Sequence, residues 1–115
     1  MLNTEAVLEI NLLALRPKRN RQWETSQSGL AVILIPKFGN HRVGSWIMSR
    51  MAKPNYRVNL DNVGTFVWQH LDGSYNLQEI SERLVERFGD EVQPVQERLM
   101  TFLETLDRAQ AIAWS

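Results

Sequence analysis

The chain has 115 residues, 43% apolar and 23% charged, with a formal net charge of zero and no cysteine. That length suits one domain with a single modest core, and the composition is that of a soluble globular chain, neither disordered nor membrane-embedded. The lack of cysteine excludes disulfides, thiolate nucleophiles and zinc–thiolate sites, and fits a reducing compartment. Glu5 and Glu9 interrupt the N-terminal apolar residues and no small-residue cleavage site follows, so no signal peptide is expected. No apolar run approaches the ~20 residues of a membrane span, which makes the cytoplasm the expected location. The neutral total hides a split: residues 1–57 carry nine Lys/Arg against three Glu, net +6, and residues 58–115 carry four Arg against ten carboxylates, net −6. Such a split either steers a partner or serves contact between the halves.

Taken in order, residues 4–15 predict a helix capped by Asn3 or Thr4, with Val7, Leu8, Leu12 and Leu15 as its stripe. Pro17 ends it, and the basic run Arg16–Arg21 reads as a solvated connector, so residues 1–21 form an N-terminal unit ahead of a domain over 22–115. Gln22–Gln27 reads as a strand, Ser28-Gly29 as a turn, and Leu30–Ile35 as a buried β-branched strand ending at Pro36. Residues 37–55 hold Lys37, Arg42, Arg50 and Lys53 without a carboxylate, among Val43, Trp46, Ile47, Met48 and Met51. A short helix over Ser45–Ala52 is expected there. Cations with aromatics suit a membrane-surface or partner contact, but closing one end of the core is the favoured role for Trp46 and Met48.

Tyr56, Val58 and Leu60 then alternate with Arg57 and Asn59, the period of a half-buried strand. Asp61 follows as an N-cap for a helix over Asn62–Leu71, whose apolar residues are Val63, Phe66, Val67, Trp68 and Leu71; Asp72-Gly73 is expected to close it. Asn76 with Glu79 forms a capping-box pattern for a second helix, buried through Leu77, Ile80, Leu84, Val85 and Phe88 and ended by Gly89. Gln93-Pro94 opens the last helix, running to Gln110, and Ala111–Trp114 reads as a short extended tail. The expected fold is α+β and winged-helix-like: a three-stranded antiparallel sheet followed by three helices, with an extra N-terminal helix.

Catalysis finds little support. His41 and His70 lack metal-ligand spacing, no phosphate loop, GxSxG or GxGxxG is present, and the carboxylates of the last two helices lie on polar faces. No cofactor and no metal is expected. A helix–turn–helix reading of the last two helices is opposed by charge, because Glu97, Glu104 and Asp107 on the would-be reading helix would face phosphates. A winged-helix DNA-binding or protein-interaction domain remains the alternative.

The last helix is unusual in its apolar arc. From Phe102 through Val95, Leu106, Leu99 and Leu103 to Met100 it spans roughly 160°, wider than one core face needs. The shoulder at Leu103 and Met100 is expected to line a groove, with extra burial or a homodimer seam as the alternatives. If the Tyr56–Leu60 strand lies at the sheet edge, its open backbone groups form a template for an extended peptide beside that groove. The candidate residues are Tyr56, Arg57, Val58, Asn59 and Leu60 on the strand, with Val95, Arg98, Leu99, Met100 and Leu103 on the helix. Arg57 and Arg98 would meet client carboxylates.

Val58-Asn59-Leu60-Asp61-Asn62-Val63-Gly64-Thr65-Phe66-Val67-Trp68, followed by Leu71-Asp72-Gly73, resembles the signature of the PqqD-like family, as do Glu79-Ile80, Phe88-Gly89 and Phe102–Leu106. The resemblance covers residues 56–112 best. It implies the fold of precursor recognition elements for ribosomally made, modified peptides, with three strands then three helices. It further implies a peptide chaperone, as in pyrroloquinoline quinone biosynthesis. Such a domain binds a leader peptide as an added strand over the groove to the third helix, and presents the precursor to a modifying enzyme, often a radical S-adenosylmethionine protein. The carry-over places the third strand at Tyr56–Leu60 and the third helix at Pro94–Gln110, the elements already selected. Residues 1–21 and Lys37–Lys53 depart from the short members of that family. So does Arg108-Ala109-Gln110-Ala111-Ile112, where a glycine is usual.

Overall fold

The computed structural model describes residues 13–37 and 42–114. Its elements in chain order are β1 (Lys18–Arg19), β2 (Trp23–Thr25), β3 (Ala31–Pro36), α1 (Arg42–Ser49), β4 (Asn55–Asn59), α2 (Asn62–Gln69), α3 (Leu77–Phe88), a 3-10 turn (Gly89–Val92), α4 (Val95–Arg108) and β5 (Ile112–Ala113). β2, β3 and β4 form a three-stranded antiparallel sheet in that order, with Glu24 opposite Val32 and Val32 opposite Asn59. The fold is α+β, with helices packed on that sheet. The helix expected over residues 4–15 falls largely on residues 1–12, which lie outside the described ones, as does His41.

β3 is buried because its apolar residues run without polar interruption; Ala31, Val32 and Ile33 are all at or below 1% exposure. On the core face Ala31 and Ile33 meet Trp68 and Leu71 of the α2 region, Leu77, Ile80 and Leu84 of α3, and Leu99, Leu103 and Leu106 of α4. Trp68 is fully buried, and Trp23 packs edge-to-face on it at 6.5 Å. Burying each such large side chain stabilises the fold by about 1.5–3 kcal/mol before entropy is counted. Helix and sheet are also tied by a polar contact: the Ala31 N–H donates to Thr65 Oγ1 at 2.9 Å, so a buried hydroxyl and a strand N–H satisfy each other.

Caps set the helix ends. Asp61 Oδ1 accepts the Gly64 N–H at 2.7 Å, as expected of an N-cap, and Asn76 with Glu79 forms the full capping box of α3. α2 ends earlier than the apolar spacing suggested, with His70 as its C-cap rather than Asp72-Gly73. Gly73 serves the next turn, at φ +85°, where its N–H reaches Pro17 O. The helix between β3 and β4 also starts sooner, at Arg42 rather than Ser45.

The basic connector is not a solvated loop. β1 pairs antiparallel with β5 as a second, two-stranded sheet, and the Arg19 N–H donates to Leu71 O at 2.7 Å. The Arg19 guanidinium donates to Trp68 O at 2.8 Å and Gln69 O at 3.2 Å, placing positive charge on the open carbonyls at the C-terminus of α2. Arg16 donates to Ser74 O and pairs with Glu79 at 3.9 Å. Cations that read as a solvated run are thus spent on carbonyls and carboxylates of the following helices.

Candidate functional site

β4 lies at the edge of its sheet, and among the described residues no strand pairs with its far side. Two bonds fix which of its backbone groups are used. The Leu60 N–H donates to Ala31 O and the Lys37 N–H to Pro54 O, so the hydrogen-bonded positions of β4 are Tyr56 and Val58. The N–H and C=O groups of Asn55, Arg57 and Asn59 therefore point away from β3. A row of alternating donors and acceptors is left open along one side of the strand.

A cavity of about 370 Å³ opens where β4 ends. Asn59, Leu60 and Asp61 form one wall, Val63, Gly64 and Val67 of α2 another, and Val95, Arg98, Leu99 and Phe102 of α4 the third. Its size is at the low end of the ~300–1,000 Å³ typical of ligand pockets, enough for one or two side chains. Gly64 helps shape it by close approach: a Cβ there would sit 3.2 Å from Asp61 Oδ1 and 3.4 Å from Leu60 Cβ. Arg98 stands at the mouth, with Nη1 donating to Glu91 O at 2.6 Å. A shallower trough continues along α4 past Phe102 to Thr101 and Thr105.

Of the residues expected here, Asn59, Leu60, Val95, Arg98 and Leu99 come together around the cavity. Tyr56, Arg57 and Val58 lie upstream on the same strand; Tyr56 is 58% exposed and Val58 packs against the core. Arg57 forms an ion pair with Glu24 across the sheet, so its charge is already shared. Leu103 and Met100 do not line the cavity. Leu103 is fully buried in the core and Met100 packs partly buried against it, because the core lies on that shoulder of α4. The groove follows the opposite shoulder, and its main apolar residue is Phe102. The wide arc carried the signal for Phe102, but helix periodicity alone does not say which end of an arc faces solvent.

Elsewhere the polar chemistry is structural. His70 Nδ1 contacts Phe66 O at 2.7 Å while its ring packs on Phe66 and Tyr75. Ser74 donates to Asp72 Oδ1 from both its hydroxyl and its backbone N–H, and these bonds hold the Asp72 carboxyl below its ordinary range. Among the described residues no group of three or more His, Asp or Glu is placed to hold a metal ion. No helix among them is long and apolar enough to cross a membrane.

The family model described as coenzyme PQQ synthesis protein D (PqqD) matches residues 42–112. The match begins at α1, so Arg42–Lys53, read from the sequence as a departure from the pattern, falls within it. No curated protein matches the chain, and no solved structure does.

Proposed function

The chain belongs to the PqqD family, and from that premise we propose that it is a non-catalytic adaptor that holds an extended precursor peptide along β4. The family is one of peptide-binding chaperones in pyrroloquinoline quinone biosynthesis, working with a biosynthetic enzyme. In this reading the client adds a strand to the open side of β4. It exchanges main-chain hydrogen bonds with Arg57 and Asn59 and places an apolar side chain among Leu60, Val95, Leu99 and Phe102. Arg98 meets a client carboxylate at the cavity mouth. The loaded peptide is then presented to a modifying enzyme of the radical S-adenosylmethionine class or another, in the cytoplasm. The recognition domain is residues 22–115, winged-helix-like in its packing of helices on a three-stranded sheet, with residues 13–21 tied against it.

One observation carries this reading: the outward N–H and C=O groups of Arg57 and Asn59 run directly into an apolar cavity at the end of the same strand. Main-chain bonds supply generic affinity and the cavity supplies selection. Two client side chains buried at ~1.5–3 kcal/mol each, less the cost of ordering the peptide, give micromolar or weaker binding.

The test is an NMR titration with candidate leader peptides, in which amides of residues 55–61 and 95–102 should shift together. Asn59→Pro removes an outward donor and spares the β3 ladder, a placement that edge strands tolerate. It should fold and bind about fivefold more weakly or worse, the worth of one main-chain hydrogen bond. Unchanged affinity in the folded variant would exclude strand addition.

A further inference from the structure

Resting on that reading of β4, we infer that the client is an acidic peptide, whose carboxylates lie just beyond the segment paired with β4 and are read by the cationic end of the sheet. From Thr25 to Leu60 the chain holds no Asp or Glu, yet Lys37, Arg42, Arg50, Lys53 and Arg57 fall within that span. The topology gathers the first four. α1 joins the end of β3 to the start of β4, so its residues and their flanks sit at the Asn55 end of the strand, away from the cavity at Asn59.

Two aromatic rings mark the same end. Trp46 and Tyr56 are the exposed large apolar side chains among the described residues, at 60% and 58%. Each carries a cation over its face, with Arg50 Cζ 4.9 Å from the Trp46 ring centroid and Lys37 Nζ 5.4 Å from that of Tyr56. A ring positions a cation without occupying its N–H groups in a salt bridge. Among the described residues neither Lys37 nor Arg50 is paired with a carboxylate, whereas Arg16 and Arg57 are. Lys37 and Arg50 are thus oriented donors awaiting acceptors.

Continuity with β4 selects the occupant. Every pairing in this sheet is antiparallel. A client added in the same sense, with its anchor in the cavity, would cover the ~17 Å of a five-residue strand and then run C-terminally over Tyr56 and Lys37. A bilayer is the weaker match, because α1 is only eight residues long and the rings adjoin a strand edge rather than a long amphipathic face.

The experiment compares three synthetic peptides binding to the full chain. They share an extended core of alternating apolar residues and carry a C-terminal tail of Glu, Gln or Lys. At low salt the Glu-tailed peptide should bind roughly three- to tenfold tighter than the Gln-tailed one, as two or three exposed pairs allow. That gap should close near roughly 0.5 M salt. The double variant Lys37→Glu, Arg50→Glu should reverse the order in favour of the Lys tail; if it does not fold, the single Gln variants should each narrow the gap. Equal affinity for all three tails while β4 amides shift would overturn this inference and leave the peptide site standing. Loss of β4 shifts with every peptide would instead overturn the site itself. Sedimentation with phosphatidylserine vesicles, abolished by the same double substitution and without tail preference, would assign the surface to a membrane and also overturn the inference.

Discussion

Gln110 occupies a position where a glycine would be at ease. α4 ends at Arg108 with Ala109 as its C-cap, and Gln110 follows at φ +56°, the left-handed conformation that closes the helix while Ala111 N–H returns to Leu106 O. The missing glycine was legible in the sequence, but only the backbone shows that glutamine takes up its conformation. Gln110→Gly should therefore raise stability by about 0.5–1 kcal/mol, the strain relieved less the added freedom of the unfolded chain, read from the urea midpoint. Asp72 offers a pH-dependent counterpart. Its carboxyl is held low by Ser74, so its contribution is present above its ordinary pKa and fades as pH falls through the lowered folded value. Asp72→Asn should melt earlier than the parent at neutral pH, and the two should converge as the pH falls through the lowered folded value of the carboxyl. Local residues such as Asp61 could be read from sequence because a cap bonds three positions away. Thr65 could not, since the Ala31 N–H that it accepts lies 34 positions back.

At the scale of elements, β4, α2, α3 and α4 followed their dominant periods, and β3 followed its unbroken β-branched run. What periodicity leaves open is orientation. α4 turns Leu103 and Leu106 to the core and Phe102 with Val95 and Arg98 to the cavity, with buried Leu99 shared between the two, a division set by neighbours distant in sequence. A pair of substitutions separates the two faces. Leu103→Ala should cost about 2–5 kcal/mol of stability, as a truncation in a close-packed core does. Phe102→Ala should cost far less stability, yet weaken peptide binding about tenfold by emptying one wall of the cavity. Denaturant melts and a binding titration on the same two proteins check this; equal stability losses would place Phe102 in the core.

Across the whole molecule, the +6 and −6 halves of the chain are interleaved rather than set side by side. The basic run at Arg16–Arg21 lies along the α2–α3 junction and the C-terminal strand, where Arg19 and Arg16 close helix ends and Asn20 bonds Ala111 and Gln110. That arrangement was hidden in the sequence, since a two-residue strand has no period of its own and its partner is more than 90 positions away. The positive excess left over concentrates instead around α1 and the start of β4. An open margin in a sheet is indiscriminate toward backbone, and the most abundant backbone nearby is another copy of the same protein. Arg57, midway along that margin, would stand opposite its own copy if two strands paired antiparallel about it; with each guanidinium already held by its own Glu24, neither gains a partner there and each must lose water beside the other, which is a bar to self-templating. Arg57→Val should lift this bar: sedimentation velocity should show concentration-dependent assembly that added peptide dissolves, and a variant that stays monomeric throughout would show that the margin is guarded by something else.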